Sequence, residues 1–114
     1  MRLAELAACG LASLATAVLL VLAWDAAAAN LVVVSQRNRL FQPREVEIAA
    51  GGVIRFENDD GQLMHHVHLT SPRFSFDTGE QLPGNKSDVR FTTAGQFTVL
   101  CGIHPKMRLT VTVR

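Results

Sequence analysis

Between residue 31 and the C-terminus, short runs of alternating apolar and polar residues are separated by turn-forming residues. The last run is the clearest, because Leu109, Val111 and Val113 fall on one face of an extended chain and the residues between them are polar. No part of this region has the spacing of an amphipathic helix. The pattern predicts seven short strands, over residues 31–34, 46–48, 53–57, 66–70, 87–91, 96–101 and 107–113.

Turn-forming residues divide these strands. Residues 58–61 read Asn-Asp-Asp-Gly, and Ser71-Pro72 closes the fourth strand. Residues 72–87 are rich in Pro, Gly, Asp and Ser, so we expect a long surface connection with room for a short strand or helical turn. Together these features predict an all-β Greek-key sandwich. The alternative, an immunoglobulin domain, lacks support because the chain has neither the Cys…Trp…Cys spacing nor a tyrosine.

A continuous apolar run from Leu6 to Trp24 precedes the strands. Arg2 lies before the run, and the alanines of residues 26–29 offer cleavage sites of the A-x-A kind. We therefore expect residues 1–29 to form the apolar helix of a signal peptide and residues 30–114 to form a periplasmic or otherwise exported domain. The alternative is an uncleaved, outward-facing membrane anchor, because about 20 apolar residues span a bilayer.

The charge of the expected mature domain narrows the function classes. The whole chain has 11 Lys and Arg and 10 Asp and Glu, and removal of residues 1–29 takes away Arg2, Glu5 and Asp25. Ten cations and eight anions remain, a net charge of +2. This balance argues against a nucleic-acid-binding protein, which needs a basic patch or stripe. The length also excludes a two-domain enzyme with a cleft between its domains.

Potential metal ligands are concentrated in two segments. Cys101, His104 and Met107 lie within seven residues between the last two predicted strands, and residues 65–68 read His-His-Val-His. After signal cleavage Cys101 is the one remaining cysteine, in a compartment where cysteines normally pair. It therefore either forms an intermolecular disulfide or binds a metal. Two histidines, a cysteine and a weakly bound methionine are the ligands of blue-copper sites.

Other readings of these residues fit less well. Thioether is not among the usual zinc ligands, and a Cys–His nucleophilic pair would need an orienting Asn or Asp that is not evident beside it. The motif in the last loop supplies a single histidine. The second histidine ligand must then come from residues 65–68, at His65 or a neighbour.

The sequence resembles the cupredoxins, the family of small blue (type 1) copper proteins. Residues 101–107, Cys-Gly-Ile-His-Pro-Lys-Met, are similar to the ligand loop of the amicyanin and plastocyanin-like members. Residues 41–59 are similar to the family's opening strands, and the plastocyanin-like proteins of methylamine-utilisation type show the likeness best. The resemblance implies a β-sandwich that binds one copper ion, cycling between Cu(I) and Cu(II), at one end.

Carried over residue by residue, the resemblance implies that His65, Cys101, His104 and Met107 are the metal ligands. Relatives usually have asparagine directly after the first ligand, whereas this chain has His66. Since residues 65 and 66 point to opposite faces of a strand, only one can face the copper. We favour His65 as the ligand over His66, and we expect His68 to be a partly exposed strand residue.

The resemblance also implies hydrogen bonds to the ligand sulfur. In relatives the thiolate accepts one bond from the backbone N–H of the residue after the first histidine, here His66. A second comes from the residue two positions beyond the cysteine, here Ile103, which is not a proline and retains its N–H. We therefore expect two backbone donors to the sulfur.

The function predicted from the sequence is one-electron transfer between redox partners, and no acid–base pair near the site suggests an enzyme. The alternative is a periplasmic copper-binding or delivery protein, although a thiolate buried at a strand end disfavours exchange. We expect a monomer that meets a transient redox protein partner through an apolar patch near His104, with Lys106 at its rim. The expected patch residues are Leu63, Met64, Ile103 and Pro105. No nucleic acid is expected, and a membrane is involved only if the N-terminal segment stays uncleaved.

Overall fold

The computed structural model describes residues 30–114, so the expected signal helix lies outside the described residues. Within residues 30–114, no helix is long and apolar enough to cross a membrane. This part of the chain forms nine strands. They are β1 (Leu31–Arg37), β2 (Leu40–Gln42), β3 (Glu45–Ile48), β4 (Val53–Asn58), β5 (His65–Leu69), β6 (Phe76–Gln81), β7 (Lys86–Arg90), β8 (Gly95–Cys101) and β9 (Arg108–Val113).

The nine strands form two sheets that pack against each other. One sheet has four strands in the order β2-β1-β4-β7, and the other has five in the order β3-β9-β8-β5-β6. The pairs β1–β4 and β3–β9 are parallel, and the other neighbouring strands are antiparallel. The prediction of an all-β sandwich is therefore confirmed.

The core lies between the apolar faces of the two sheets. Strands β4, β5, β8 and β9 bury every second residue, because alternate side chains of a strand point to opposite faces. Full burial of a side chain as large as leucine or phenylalanine contributes about 1.5–3 kcal/mol. The largest fully buried apolar side chains are Phe41, Phe56, Phe91, Ile54, Met107 and Leu109.

The structure contains two strands that the hydrophobic pattern did not predict, β2 and β6. Strand β2 has three residues, too few for a pattern to show. Strand β6 lies in the segment expected to be a surface connection, and its sequence Phe-Asp-Thr-Gly-Glu-Gln does not alternate. Its pairing with β5 shifts register between His66 and His68, and Gly79 has a φ of 70° that favours glycine. A bulge of this kind interrupts the alternation of apolar and polar residues by which a strand is predicted from sequence.

The strand order brings the two ligand-bearing segments together. Val67 of β5 lies opposite Cys101 of β8, so the first residues of β5 lie beside the last residue of β8. The loop of residues 102–107 then leads into β9, which pairs with residues 95–100 of β8. As a result the start of β5, the end of β8 and this loop meet at one end of the sandwich.

Candidate metal centre

Three donor atoms converge at this end of the sandwich. The Cys101 Sγ lies 3.7 Å from His65 Nδ1 and 3.7 Å from His104 Nδ1. The two Nδ1 atoms are 3.2 Å apart. His65 and Cys101 are buried, and His104 is half-buried. One atom from each of three side chains therefore faces a shared point.

The separations of these donors fit a single metal ion. Metal–nitrogen bonds of about 2.0 Å and metal–sulfur bonds of about 2.3 Å in tetrahedral geometry place neighbouring donors about 3.3–3.6 Å apart. The observed separations of 3.2–3.7 Å bracket that range. A cysteine sulfur with two imidazoles suits copper better than a hard cation.

The side chain of Asp60 orients His65. The His65 Nε2 lies 2.5 Å from Asp60 Oδ2, and the ring is fully buried. A carboxylate on the outer nitrogen fixes the tautomer with its proton on Nε2, which leaves the Nδ1 lone pair free for a metal. The pair therefore explains why His65 presents Nδ1 to the cluster.

The turn between β1 and β2 holds Asp60 in place. Its Oδ1 accepts a hydrogen bond of 2.7 Å from the backbone N–H of Asn38. Asn38 and Arg39 both have positive φ, as the two-residue turn of a tight hairpin requires. Burial raises the pKa of Asp60, but the bonds from His65, Asn38 and Arg39 outweigh it and hold the pKa below its usual value. The carboxylate is thus charged at neutral pH.

Asp60 was not among the residues singled out from the sequence, where it appeared only as part of a turn. Its position could have been found from its chemistry, since metal-bound histidines commonly donate their other N–H to a carboxylate. Asp60 lies five residues before His65 in a short loop. Asn58 shapes that loop, donating from Nδ2 to the carbonyls of Leu63 and Gln81, each at 2.9 Å.

Backbone bonds connect the Cys101 segment to β5. The N–H of His66 donates to the Cys101 Sγ at 3.5 Å, and the N–H of Gly102 donates to the carbonyl of His66 at 2.8 Å. The first of the two expected sulfur donors is therefore present. The second is not, because within residues 30–114 the N–H of Ile103 makes no bond to the sulfur. Ile103 lies in a bend that turns its side chain outward, 41% exposed.

The loop after Cys101 carries the remaining predicted ligands. The N–H of Met107 donates to the carbonyl of His104 at 3.0 Å, which closes a tight turn around Pro105. Met107 is buried at the point where the loop enters β9. Burial lowers the pKa of His104, and the nearby His65 and Arg39 lower it further. A neutral imidazole is the form that binds a metal.

The other two histidines lie on the opposite face of β5. The His66 ring points outward, with its Nε2 2.5 Å from Asp77 Oδ1, and His68 is half-buried on the same face. Of the two alternatives for the first ligand, the structure places His65 with Cys101 and His104 and places His66 away from them.

The surface near His104 differs in part from the predicted patch. Ile103 and Pro105 are exposed beside His104, whereas Leu63 and Met64 are half-buried. The residues that line a surface hollow here are Arg39, Leu40, Ile103, His104, Pro105 and Lys106.

Comparison with known proteins assigns the chain to a family and supports the fold. Residues 10–113 match the family model described as a cupredoxin-like domain. No curated protein sequence matches the chain. Among solved structures, the chain is similar to a copper-containing nitrite reductase from Thermus scotoductus SA-01, with 26% identity and a TM-score of 0.67. That match covers 73% of this chain and 22% of the reductase chain, so this chain spans well under a third of the reductase.

Two smaller proteins share the fold over most of their own length. A reduced mutant of amicyanin is 22% identical with a TM-score of 0.67, over 75% of this chain and 83% of amicyanin. A purple cupredoxin from Nitrosopumilus maritimus is 19% identical with a TM-score of 0.64, over 73% of this chain and 99% of that one.

Proposed function

The chain belongs to the family of cupredoxin-like domains, and on that premise we propose that it is a one-electron carrier with a single copper ion. In this proposal the ligands are His65, Cys101, His104 and Met107. Copper, when bound, supplies the couple between Cu(I) and Cu(II). The family is one of copper electron carriers, and the assignment of these four residues in this chain is our proposal.

One observation carries the proposal, namely the convergence of two imidazole nitrogens and a thiol sulfur within 4.8 Å of one another. The three side chains come from a strand start, a strand end and a loop, and the first two of them are buried. Cys101 is 2% exposed and accepts a bond from the His66 N–H. The carboxylate of Asp60 contacts the Nε2 of His65 and fixes the orientation of that ring. A rigid ligand set limits rearrangement between oxidation states, which favours electron transfer.

The same rigidity argues for a carrier over a delivery protein. Metal delivery requires ligands that reach the surface and exchange, whereas His65 is fully buried and Cys101 nearly so. We also propose that the protein is not an enzyme and acts as a monomer in the periplasm or another exported location. The export proposal is supported by the apolar sequence of residues 6–24 followed by small residues.

We place the electron port at His104, the half-buried histidine of the cluster. Its neighbours Ile103, Pro105 and Leu40 give the surrounding hollow an apolar character, and Lys106 lies in the same hollow. Small interfaces suit brief electron-transfer encounters, and a cation at the rim affects association rate and salt dependence more than affinity. A transient redox protein partner is expected here.

The test is addition of Cu(II) to the purified protein, followed by visible spectroscopy. The carrier proposal predicts an intense absorption from thiolate-to-copper charge transfer that saturates at one copper ion per chain. Pale bands without charge transfer would favour the delivery alternative. Absence of stoichiometric binding would overturn both.

A further inference from the structure

A second group of metal-binding side chains lies on the outer face of β5. His66 and His68 are two residues apart on one strand, so both rings point to the face opposite His65. Their ring centroids are 6.0 Å apart, and both rings are half-buried. The proposed copper centre uses the backbone N–H of His66 and neither of these two rings.

The carboxylate of Asp77 contacts the His66 ring and belongs to the residue paired with His68. Asp77 is the cross-strand partner of His68, yet its Oδ1 is 2.5 Å from the Nε2 of His66. Within residues 30–114 its second oxygen, Oδ2, makes no hydrogen bond. The side chain is 62% exposed, so an ion from solvent can reach it.

The bulge in β6 produces this arrangement. His66 pairs with Glu80 and His68 with Asp77, so three steps along β6 match two along β5. Gly79 takes the positive φ at the bulge, and its N–H donates to Asp77 Oδ1 at 2.7 Å. Bulges commonly re-aim a side chain beside a functional site. Because of the bulge, Asp77 pairs with His68 along the strands while its side chain contacts His66.

Gly102 provides the space for the two rings. A Cβ at this position would lie 3.6 Å from ring atoms of His66 and 3.7 Å from the Cδ2 of His68. Both rings therefore lie over Gly102, at ordinary contact distance from where a side chain would begin.

We propose that His66, His68 and Asp77 form a second, surface metal site for a borderline divalent ion, Zn²⁺ or Cu²⁺. Imidazole nitrogen and carboxylate oxygen are ligands that both ions accept, and water completes an open site of three protein ligands. On binding, the ion replaces the proton held between His66 Nε2 and Asp77 Oδ1. Within residues 30–114 the donor atoms of these three side chains do not all lie within 4.8 Å of one another, so binding requires the His68 ring to move toward the other two donors.

The surface site lies one residue from the proposed copper centre. His66 donates its backbone N–H to the Cys101 sulfur and accepts a bond from Gly102. A dication on the His66 ring adds positive charge beside the thiolate, and positive charge disfavours Cu(II) relative to Cu(I). Surface occupation is thus expected to raise the reduction potential of the copper centre. This last step rests on the proposed function, whereas the surface site itself does not.

Zn²⁺ titration of the copper-loaded, reduced protein by calorimetry tests the site. We expect one Zn²⁺ to bind per chain, and His68→Gln and Asp77→Asn each to weaken binding at least about tenfold. Asp88→Asn is the matched control, since Asp88 is an exposed strand aspartate of the other sheet that is ion-paired with Arg55. Histidine NMR signals of the reduced protein should show His66 and His68 shifting with added Zn²⁺.

The outcomes separate the two sites. Unchanged Zn²⁺ binding in both variants, or no Zn²⁺ binding by the wild type, overturns the surface site. If the chain binds no copper, the same titration is done on Cys101→Ser, which lacks the buried sulfur. Binding that persists in Cys101→Ser and is lost on adding Asp77→Asn supports the surface site independently of copper. Binding that disappears with Cys101→Ser alone assigns the Zn²⁺ to the buried cluster and contradicts the proposal.

Discussion

Two adjacent histidines of β5 are each paired with an aspartate at the same distance, but in opposite environments. His65 Nε2 lies 2.5 Å from Asp60, with side chains 0% and 9% exposed. His66 Nε2 lies 2.5 Å from Asp77, with side chains 31% and 62% exposed. The strand geometry alone separates them, since neighbouring residues point to opposite faces. One pair faces the buried thiol cluster and the other faces solvent.

The difference shows how burial changes the contribution that the same His–Asp contact makes to stability. An exposed ion pair is screened by water and salt, and it contributes little. A buried carboxylate is costly to leave without its partner, so a buried pair constrains the structure around it. We therefore expect changes on the inner face of β5 to affect both stability and copper binding, and changes on the outer face to affect surface binding far more than either.

The largest expected effect on the inner face comes from removing the sulfur. Cys101→Ser should abolish the intense visible absorption of the copper-loaded protein, because charge transfer requires the thiolate. Weak copper binding by the two histidines can remain. Absorption spectra of both proteins with one equivalent of Cu(II) provide the measurement. A serine variant with the full visible band would refute the ligand assignment.

The next largest effect is expected from replacing Asp60 by asparagine, and the same substitution at Asp77 gives the comparison. Asp60→Asn should reduce copper affinity about 10- to 100-fold, because it removes the charge that orients and strengthens a metal-bound histidine. It should also lower the free energy of unfolding by about 2 kcal/mol, since a buried hydrogen bond to a charged group is lost. Competition with a copper chelator and urea denaturation measure the two quantities.

Asp77→Asn is the matched control for that prediction. It replaces an aspartate that contacts a neighbouring histidine on the exposed face, so copper affinity and stability should change far less than in Asp60→Asn. Equal effects of the two substitutions would show that burial does not distinguish the pairs.

Most of the strands and the ligand loop could be predicted from the sequence, because both leave a local pattern in it. Strands β4, β8 and β9 follow the two-residue alternation that a half-buried strand imposes, and the soft ligands of residues 101–107 lie close together in sequence. The choice of His65 over His66 rested on family resemblance, and the structure places the His65 ring in the cluster.

The features that the sequence analysis did not predict depend on contacts between distant segments. Asp60 acts on His65 only because the hairpin at Asn38 holds it there, and loop positions have no periodicity to reveal this. Strand β6 contains a glycine bulge, so Asp77 appeared to belong to a surface connection. The expected bond from the Ile103 N–H to the Cys101 sulfur is not among the hydrogen bonds of residues 30–114, where Ile103 lies in a bend of the ligand loop.

A smaller effect is expected at the exposed edge of the cluster, where His104 reaches the surface. Ile103→Asp should leave the copper spectrum unchanged and slow electron exchange with a redox partner about tenfold, the effect of losing one well-packed interface residue. Leu31→Asp is the control, because Leu31 is 50% exposed and begins β1 at the opposite end of the sandwich. Stopped-flow rates for the three proteins give the comparison. Equal rates for Ile103→Asp and wild type would mean that electrons leave elsewhere.

The smallest expected effect is on stability and concerns a third ion pair, which lies away from both sites. Because this pair is exposed, it shows how little a solvent-screened pair contributes. Asp88 accepts bonds of 2.8 and 3.0 Å from Arg55 across β4 and β7, and the side chains are 50% and 38% exposed. The bond from Arg55 and its charge lower the pKa of Asp88.

A carboxyl whose pKa is lower in the folded protein stabilises that protein above the unfolded pKa of about 3.9. The stabilisation is lost as the pH falls through the pKa of the folded state. Asp88→Asn should therefore reduce the urea midpoint slightly at pH 7, and the difference from wild type should disappear on acidification and shrink with added salt. A difference that grows as the pH falls would contradict the assigned direction of the pKa.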